Sequence, residues 1–133
     1  MKVTTGIDII EVNRIKETIE ELGENFLNRI YTENEIEYCK KSNINKYQHF
    51  AARFAVKEAV FKAISCYIEG REDAIWKNIE VINLESGKPE LNVEKLQKNI
   101  KKAGDKLSLV NIDVSISHIK EFAVASAVAV FEE

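Results

Sequence analysis

Residues 45–66 form a helix-prone run that is apolar on nearly every side, yet it carries Arg53, Lys57, Glu58 and Lys62. Projected at about 100° per residue, Phe50, Phe54 and Phe61 share one narrow sector. Val56, Val60, Ala63 and Ile64 fill much of the opposite side, and Ala51, Ala55 and Ala59 make a small-residue flank. Such a helix belongs in the interior, where charges are costly unless paired, solvated in a cleft or bound to an ion. Glu58 projects between the phenylalanine sector and the alanine flank, and Lys62 lies one turn further along the same face. Two readings stand from this spacing. Glu58 and Lys62 form an i,i+4 ion pair, or they line a cleft where Glu58 holds a cation and Lys62 faces a phosphate. Spacing alone favours the pair, and the alanine flank, which leaves room for a ligand, tilts slightly toward the cleft.

Asp8 has the same ambiguity in Gly6-Ile7-Asp8-Ile9-Ile10. It can cap the following helix or face outward from a strand. Paired with Glu58, it can instead complete a two-carboxylate Mg²⁺ site, which leaves other positions to water and substrate phosphates. The two histidines, His49 and His118, are too few for a typical zinc site. His118 ends the strand-like Val114-Ser115-Ile116-Ser117, as a solvated turn residue or as a donor to a phosphate. Gly87 and Lys88 are ordinary turn chemistry, and also a place where backbone can approach a nucleotide.

These groups need elements to hold them. Residues 2–10 are β-prone, interrupted at Gly6. Val12, Ile15, Ile19 and Leu22 recur at helical spacing up to a stop at Gly23, and Phe26, Leu27 and Ile30 continue that layer. Thr32 with Glu35 matches a capping box opening a helix through about Lys40. Asn45 with Gln48 repeats the signal for the long helix to roughly Cys66. Residues 79–84 read as a strand, the turn Ser86-Gly87-Lys88-Pro89 follows, and residues 90–93 read as a second short strand. Val93, Leu96, Ile100 and Ala103 mark an amphipathic helix ended by Gly104. Val110, Ile112, Val114 and Ile116 alternate with polar residues, residues 118–121 turn, and residues 122–131 return with Ala123, Ala125, Ala127 and Ala129 on one face. So small a face admits close approach by a helix or another subunit. The order β-α-α-α-β-β-α-β-β predicts an α+β fold, with helices on one face of a mostly antiparallel sheet, as a single domain over 1–133.

The bulk composition bounds the function classes. The chain has 133 residues, 45% hydrophobic and 31% charged, as expected of an ordinary soluble domain. Its net charge of −3 argues against a generic nucleic-acid binder. Cys39 and Cys66 are far apart and read as buried or half-buried thiols of a reducing compartment. Neither a signal peptide nor a run of about 20 apolar residues is evident, so a cytoplasmic protein without membrane partners is expected.

Taken together, three segments closely resemble the holo-acyl-carrier-protein synthases, the short branch of the phosphopantetheinyl transferases. They are Gly6-Ile7-Asp8-Ile9-Ile10 with Arg14-Ile15, then Arg53-Phe54-Ala55-Val56-Lys57-Glu58-Ala59-Val60-Phe61-Lys62-Ala63, then Val114-Ser115-Ile116-Ser117-His118 followed by Ala123-Val124-Ala125. Arg29-Ile30-Tyr31-Thr32 with Glu35, Ile79-Glu80-Val81 and Gly87-Lys88-Pro89 support them, and the likeness spans essentially the whole chain. It implies transfer of the 4′-phosphopantetheine arm of coenzyme A to a serine of apo acyl carrier protein, with release of 3′,5′-ADP, in fatty acid biosynthesis.

At matching positions the resemblance implies that Asp8 and Glu58 bind Mg²⁺ with the pyrophosphate, and that Lys62 contacts the phosphates. Glu58 and Lys62 are the implied catalytic pair. Arg53 and His118 are implied at the adenosine-phosphate end, with Gly87, Lys88 and Pro89 in the nucleotide pocket. Relatives are trimers with sites between subunits. Arg14 and Arg29 match the basic surface that meets the carrier protein, although Glu17, Glu20, Glu21 and Glu24 crowd it here, and Thr5 stands where many relatives have glycine. Two other classes compete with this reading: a Mg²⁺-dependent nucleotide hydrolase, and a non-catalytic interaction module in which Glu58 and Lys62 pair structurally.

Overall fold

The computed structural model describes residues 1–68, 71–100 and 107–133. The chain is α+β, as the pattern predicts. It begins with strand β1 (Lys2–Glu11), followed by helices α1 (Val12–Leu22), α2 (Glu24–Ile30), α3 (Glu33–Lys40) and α4 (Lys46–Ile64). After a 3₁₀ turn come α5 (Glu72–Ile75), a second 3₁₀ turn, β2 (Val81–Asn83), β3 (Pro89–Leu91), α6 (Val93–Gln97), β4 (Ser108–His118) and β5 (Phe122–Glu132).

β1, β5 and β4 form one antiparallel sheet in that order, and β2 pairs with β3 in a separate antiparallel ribbon. β5 is therefore the centre of the main sheet, and its inward residues are the alanines at 123, 125, 127 and 129, all buried. Side chains alternate across a strand, so these four make one smooth face. α4 lies against it, with Ala55, Val56, Ala59, Val60, Ala63 and Ile64 in the same apolar cluster. The small face is thus occupied by the chain's own helix. A second cluster joins Val12, Ile15, Leu27, Ile30, Tyr31 and Phe50, and it packs the first helices against the start of α4.

Local signals formed where they needed only their neighbours. Thr32 Oγ1 accepts from Glu35 N at 3.2 Å, and Glu35 Oε1 accepts from Thr32 N at 2.9 Å, a complete capping box at α3. Several expectations change. Asn45 stands at the N-cap of α4, but its φ of −106° and ψ of 11° leave the extended capping conformation, and its side chain makes no capping bond. It instead accepts from Gln48 Nε2 at 3.5 Å. The strand does not break at Gly6, since β1 keeps register with β5 from Lys2 to Glu11. A separate helix, α2, forms after Gly23, whose positive φ of 60° turns the chain between α1 and α2. β2 starts at Val81 because Ile79 is still tied into a helical turn, donating to the Ile75 and Trp76 carbonyls. α4 ends at Ile64, so Cys66 leaves its buried face and is exposed, while Cys39 is buried. The helix expected to reach Gly104 is observed as α6 (Val93–Gln97); Ala103 and Gly104 lie outside the described residues.

Candidate active site

Asp8 and Glu58 are fifty residues apart in sequence and line the same cavity, of about 460 Å³. Asp8 comes from β1, opposite Ala125 of β5. Glu58 comes from α4, which the alanine face allows to lie close beneath the strand. Arg14 of α1 and the rings of Phe26, Phe54 and Phe122 complete much of the wall. The cavity is therefore mixed, with the carboxylates of Asp8, Glu11 and Glu58 and the Arg14 guanidinium set among apolar side chains. Phe54 and Glu58, one helical turn apart, are there because i and i+4 share a helix face.

Lys62 is the next residue on that face. Its Nζ donates to the Ile7 carbonyl at 2.9 Å and to Asp8 Oδ1 at 3.3 Å. The ammonium thus clamps strand to helix beside the cavity, with the Lys62 side chain 53% exposed and that of Asp8 only 18%. Of the two carboxylates on offer, the sequence pattern favoured Glu58 as Lys62's ion-pair partner, and the structure brings Lys62 to Asp8 across the strand–helix contact.

Arg53 points elsewhere. It lies five positions before Glu58, which turns it about 140° around α4. It is buried, donates to the His49 carbonyl at 3.5 Å and to Asn83 Oδ1, and lies over the Tyr38 ring at 4.1 Å from its centroid. Asn83 in turn donates to the Gly87 carbonyl at 3.2 Å. Gly87 has a φ of 88°, a conformation that glycine adopts without steric cost, and Leu84 N closes the turn on the Lys88 carbonyl at 2.9 Å. Asn83 therefore joins Arg53 to the Gly87-Lys88-Pro89 turn. His118 ends β4 in solvent, with Nδ1 2.9 Å from Gln48 Oε1 and its ring 6.0 Å from that of His49. Burial, with Arg53 and His118 nearby, holds His49 below the usual histidine range.

The expected site residues thus form two groups. Asp8, Glu58 and Lys62 meet at the β1–α4 contact, with Arg14 beside them. Arg53, Gly87, Lys88, Pro89 and His118 lie on the other flank of α4, and none of these lines the Asp8–Glu58 cavity. Arg29 is exposed in the last turn of α2.

Sequence reasoning missed three members of the second group. Asn83 sits in an ordinary β-run and Tyr38 within the α3 run, neither with a distinguishing signal, and Gln48 reads only as the capping partner of Asn45. It also missed the partner of Lys57. That ammonium is fully buried, pairs with Glu35 Oε1 at 2.9 Å, and donates to the carbonyls of Trp76 and Ile79 at 2.8 and 2.7 Å. A lysine on a helix buried all round was the available clue, since it requires a carboxylate.

Residues 4–125 match the 4′-phosphopantetheinyl transferase superfamily. The chain belongs to that superfamily and, within it, to the holo-[acyl-carrier-protein] synthases. It is 44% identical to the holo-[acyl-carrier-protein] synthase of Ruminiclostridium cellulolyticum, over 96% of this chain and 92% of that one. The crystal structure of the holo-(acyl-carrier-protein) synthase of Bacillus anthracis in complex with CoA (3′,5′-ADP) is 37% identical, covers 95% of this chain and 94% of its own, and superposes with a TM-score of 0.69. That of Helicobacter pylori in complex with coenzyme A is 28% identical, covers 95% and 99%, and has a TM-score of 0.71.

Proposed function

We propose that this chain transfers the 4′-phosphopantetheine arm of coenzyme A to a serine of apo acyl carrier protein, releasing 3′,5′-ADP, in fatty acid biosynthesis. The observation that carries the reading is the meeting of Asp8 and Glu58 at one cavity. The relatives' names and their coenzyme A complexes supply the substrate class.

The donor chemistry fits Mg²⁺. Two carboxylates offer hard oxygen ligands, and among the described residues no third His, Cys, Asp or Glu gathers with them into a metal-sized cluster. Mg²⁺ commonly takes one or two protein carboxylates and leaves its remaining positions to phosphate oxygens and water. When bound, the ion would act as Lewis acid and template at the pyrophosphate. The chain's own side chains do the rest. Asp8 and Glu58, anionic and so unable to grip a phosphate directly, would hold the ion at the cavity they share. Lys62, half exposed beside Asp8, faces the phosphates and steadies charge as the β-phosphorus bond to the leaving 3′,5′-ADP breaks. Glu58 accepts the proton of the attacking serine hydroxyl. The apolar wall of Phe26, Phe54 and Phe122 excludes water, the competing nucleophile. Arg14, at the cavity rim, and Arg29 offer positive charge to the carrier protein.

Arg53, His118 and the Gly87-Lys88-Pro89 turn hold the adenosine-phosphate end. Because they do not share the Asp8–Glu58 cavity, the complete site draws on two copies of the chain, arranged as a homotrimer. The outer face of the main sheet supports this: Ile7 and Ile9 are 65% and 63% exposed, and Val3 and Val128 are 50% and 44% exposed beside them. A contiguous apolar face of this kind marks an interaction surface. The free thiols Cys39 and Cys66 suit a reducing, cytoplasmic setting. Among the described residues no helix is long and apolar enough to cross a membrane.

The test is the mass of an apo carrier protein incubated with the chain, coenzyme A and Mg²⁺, which should rise by one phosphopantetheine. Release of 3′,5′-ADP from coenzyme A alone, with no mass gain on the carrier, would instead mark a hydrolase.

A further inference from the structure

We propose that Gly6 is a positioning residue for the metal-binding pair, an inference that rests on the reading of Asp8 and Glu58 given above. A Cβ built on Gly6 falls 1.8 Å from the Ala59 carbonyl oxygen, 2.9 Å from the Ala59 carbonyl carbon and 3.0 Å from the Ala63 amide nitrogen. All three are backbone atoms of α4, so no side-chain rotation relieves the contact. Gly6 is an ordinary strand residue in register with Ala127, and the requirement for glycine is purely one of space.

The two helix residues that touch it are the immediate successors of Glu58 and Lys62. On its own strand Gly6 lies two residues before Asp8, on the same face of the sheet. A close approach of β1 to α4 therefore sits between the groups that must cooperate. Nearby sheet residues shrink in step, with Ala125 opposite Asp8 and Ala127 opposite Gly6. Contacts between carbon and its neighbours settle near 3.5 Å, so a methyl at Gly6 forces strand and helix apart by roughly 1.5 Å. Mg²⁺ accepts oxygen ligands only within a narrow range near 2.0–2.1 Å. A carboxylate on the strand and one on the helix cannot follow such a separation and keep one small ion between them. The Lys62 bonds to the Ile7 carbonyl and Asp8 span the same gap and lengthen with it.

The experiment is calorimetric titration of Mg²⁺ into the protein with saturating 3′,5′-ADP, for the wild type, Gly6→Ala, Asp8→Asn and Val60→Ala. Val60 is fully buried in the α4 core, so its truncation lowers stability without wedging the helix from β1. Gly6→Ala should weaken Mg²⁺ binding by about tenfold or more, the usual scale for groups that orient metal ligands, while Val60→Ala leaves it within about twofold of wild type. Unchanged Mg²⁺ affinity in a folded Gly6→Ala protein overturns the proposal, and loss of binding in Asp8→Asn shows in the same series that the metal site itself stands. If Asp8→Asn binds like the wild type, the site reading fails and the role of Gly6 with it. If Gly6→Ala does not fold, Ala59→Ser, a one-atom wedge at the same buried crossing, replaces it. That variant must lose more Mg²⁺ affinity than Val60→Ala, and equal affinities overturn the proposal.

Discussion

Lys57 and Glu35 form an ion pair at 2.9 Å in which both side chains are wholly excluded from solvent. Glu35 Oε1 also accepts from Thr32 N, and Oε2 accepts from the Val81 amide at 3.0 Å. Lys57 is the chain neighbour of Glu58, but it turns away from the cavity and ties α4 to α3 and to the start of β2. Burial pulls its ammonium below the ordinary lysine range, and Glu35 opposes that pull.

Lys57→Met should therefore destabilise the fold by about 3–5 kcal/mol, because it strands a buried carboxylate. Urea denaturation measures this. The double variant Lys57→Met with Glu35→Leu should recover part of the loss, since it leaves no orphaned charge. Equal stability of Lys57→Met and wild type would show the pair to be dispensable.

The proposed two-copy site makes the outer sheet face essential. Val128→Glu places a charge there, on β5 opposite Thr5 and clear of Asp8. Light scattering should report a shift from trimer toward monomer, with loss of carrier modification. A monomer with full turnover would contradict the shared site.

Burial pushes the Cys39 thiol up to about 12, whereas Cys66 is exposed. At pH 8 iodoacetamide should label one cysteine per native chain, at Cys66, and two after denaturation. Because the folded Cys39 value is raised, its contribution to stability is complete below the free thiol's value of 9.0 and is lost as pH climbs toward about 12. Cys39→Ala should flatten that alkaline loss in denaturation curves.

What could be read from the sequence was what neighbours decide. The Thr32–Glu35 box closed as expected because its partners are three residues apart. The alanine stripe of β5 and the all-round apolarity of α4 each named a face, and the fold joined those two faces. Gly6 was read as an interruption because glycine weakens strands. Its reason is the backbone of Ala59, more than fifty residues away, which no local pattern reveals. The Glu58–Lys62 spacing suited an i,i+4 pair, and the tertiary contact brought Lys62 to Asp8. Resemblance supplied both halves of the candidate site. Helical spacing alone turns Arg53 about 140° from Glu58, but neither it nor the resemblance could show that Arg53 reaches the Gly87 turn through Asn83.

In the proposed reaction Glu58 acts at the reacting phosphate through its carboxylate charge. Glu58→Gln keeps the side chain's size and removes that charge from a half-buried position on α4. The mass of apo carrier protein after incubation with this variant, coenzyme A and Mg²⁺ should remain unchanged while circular dichroism and thermal melting stay those of the wild type. Carrier protein that gains phosphopantetheine at close to the wild-type rate would rule out that role for Glu58.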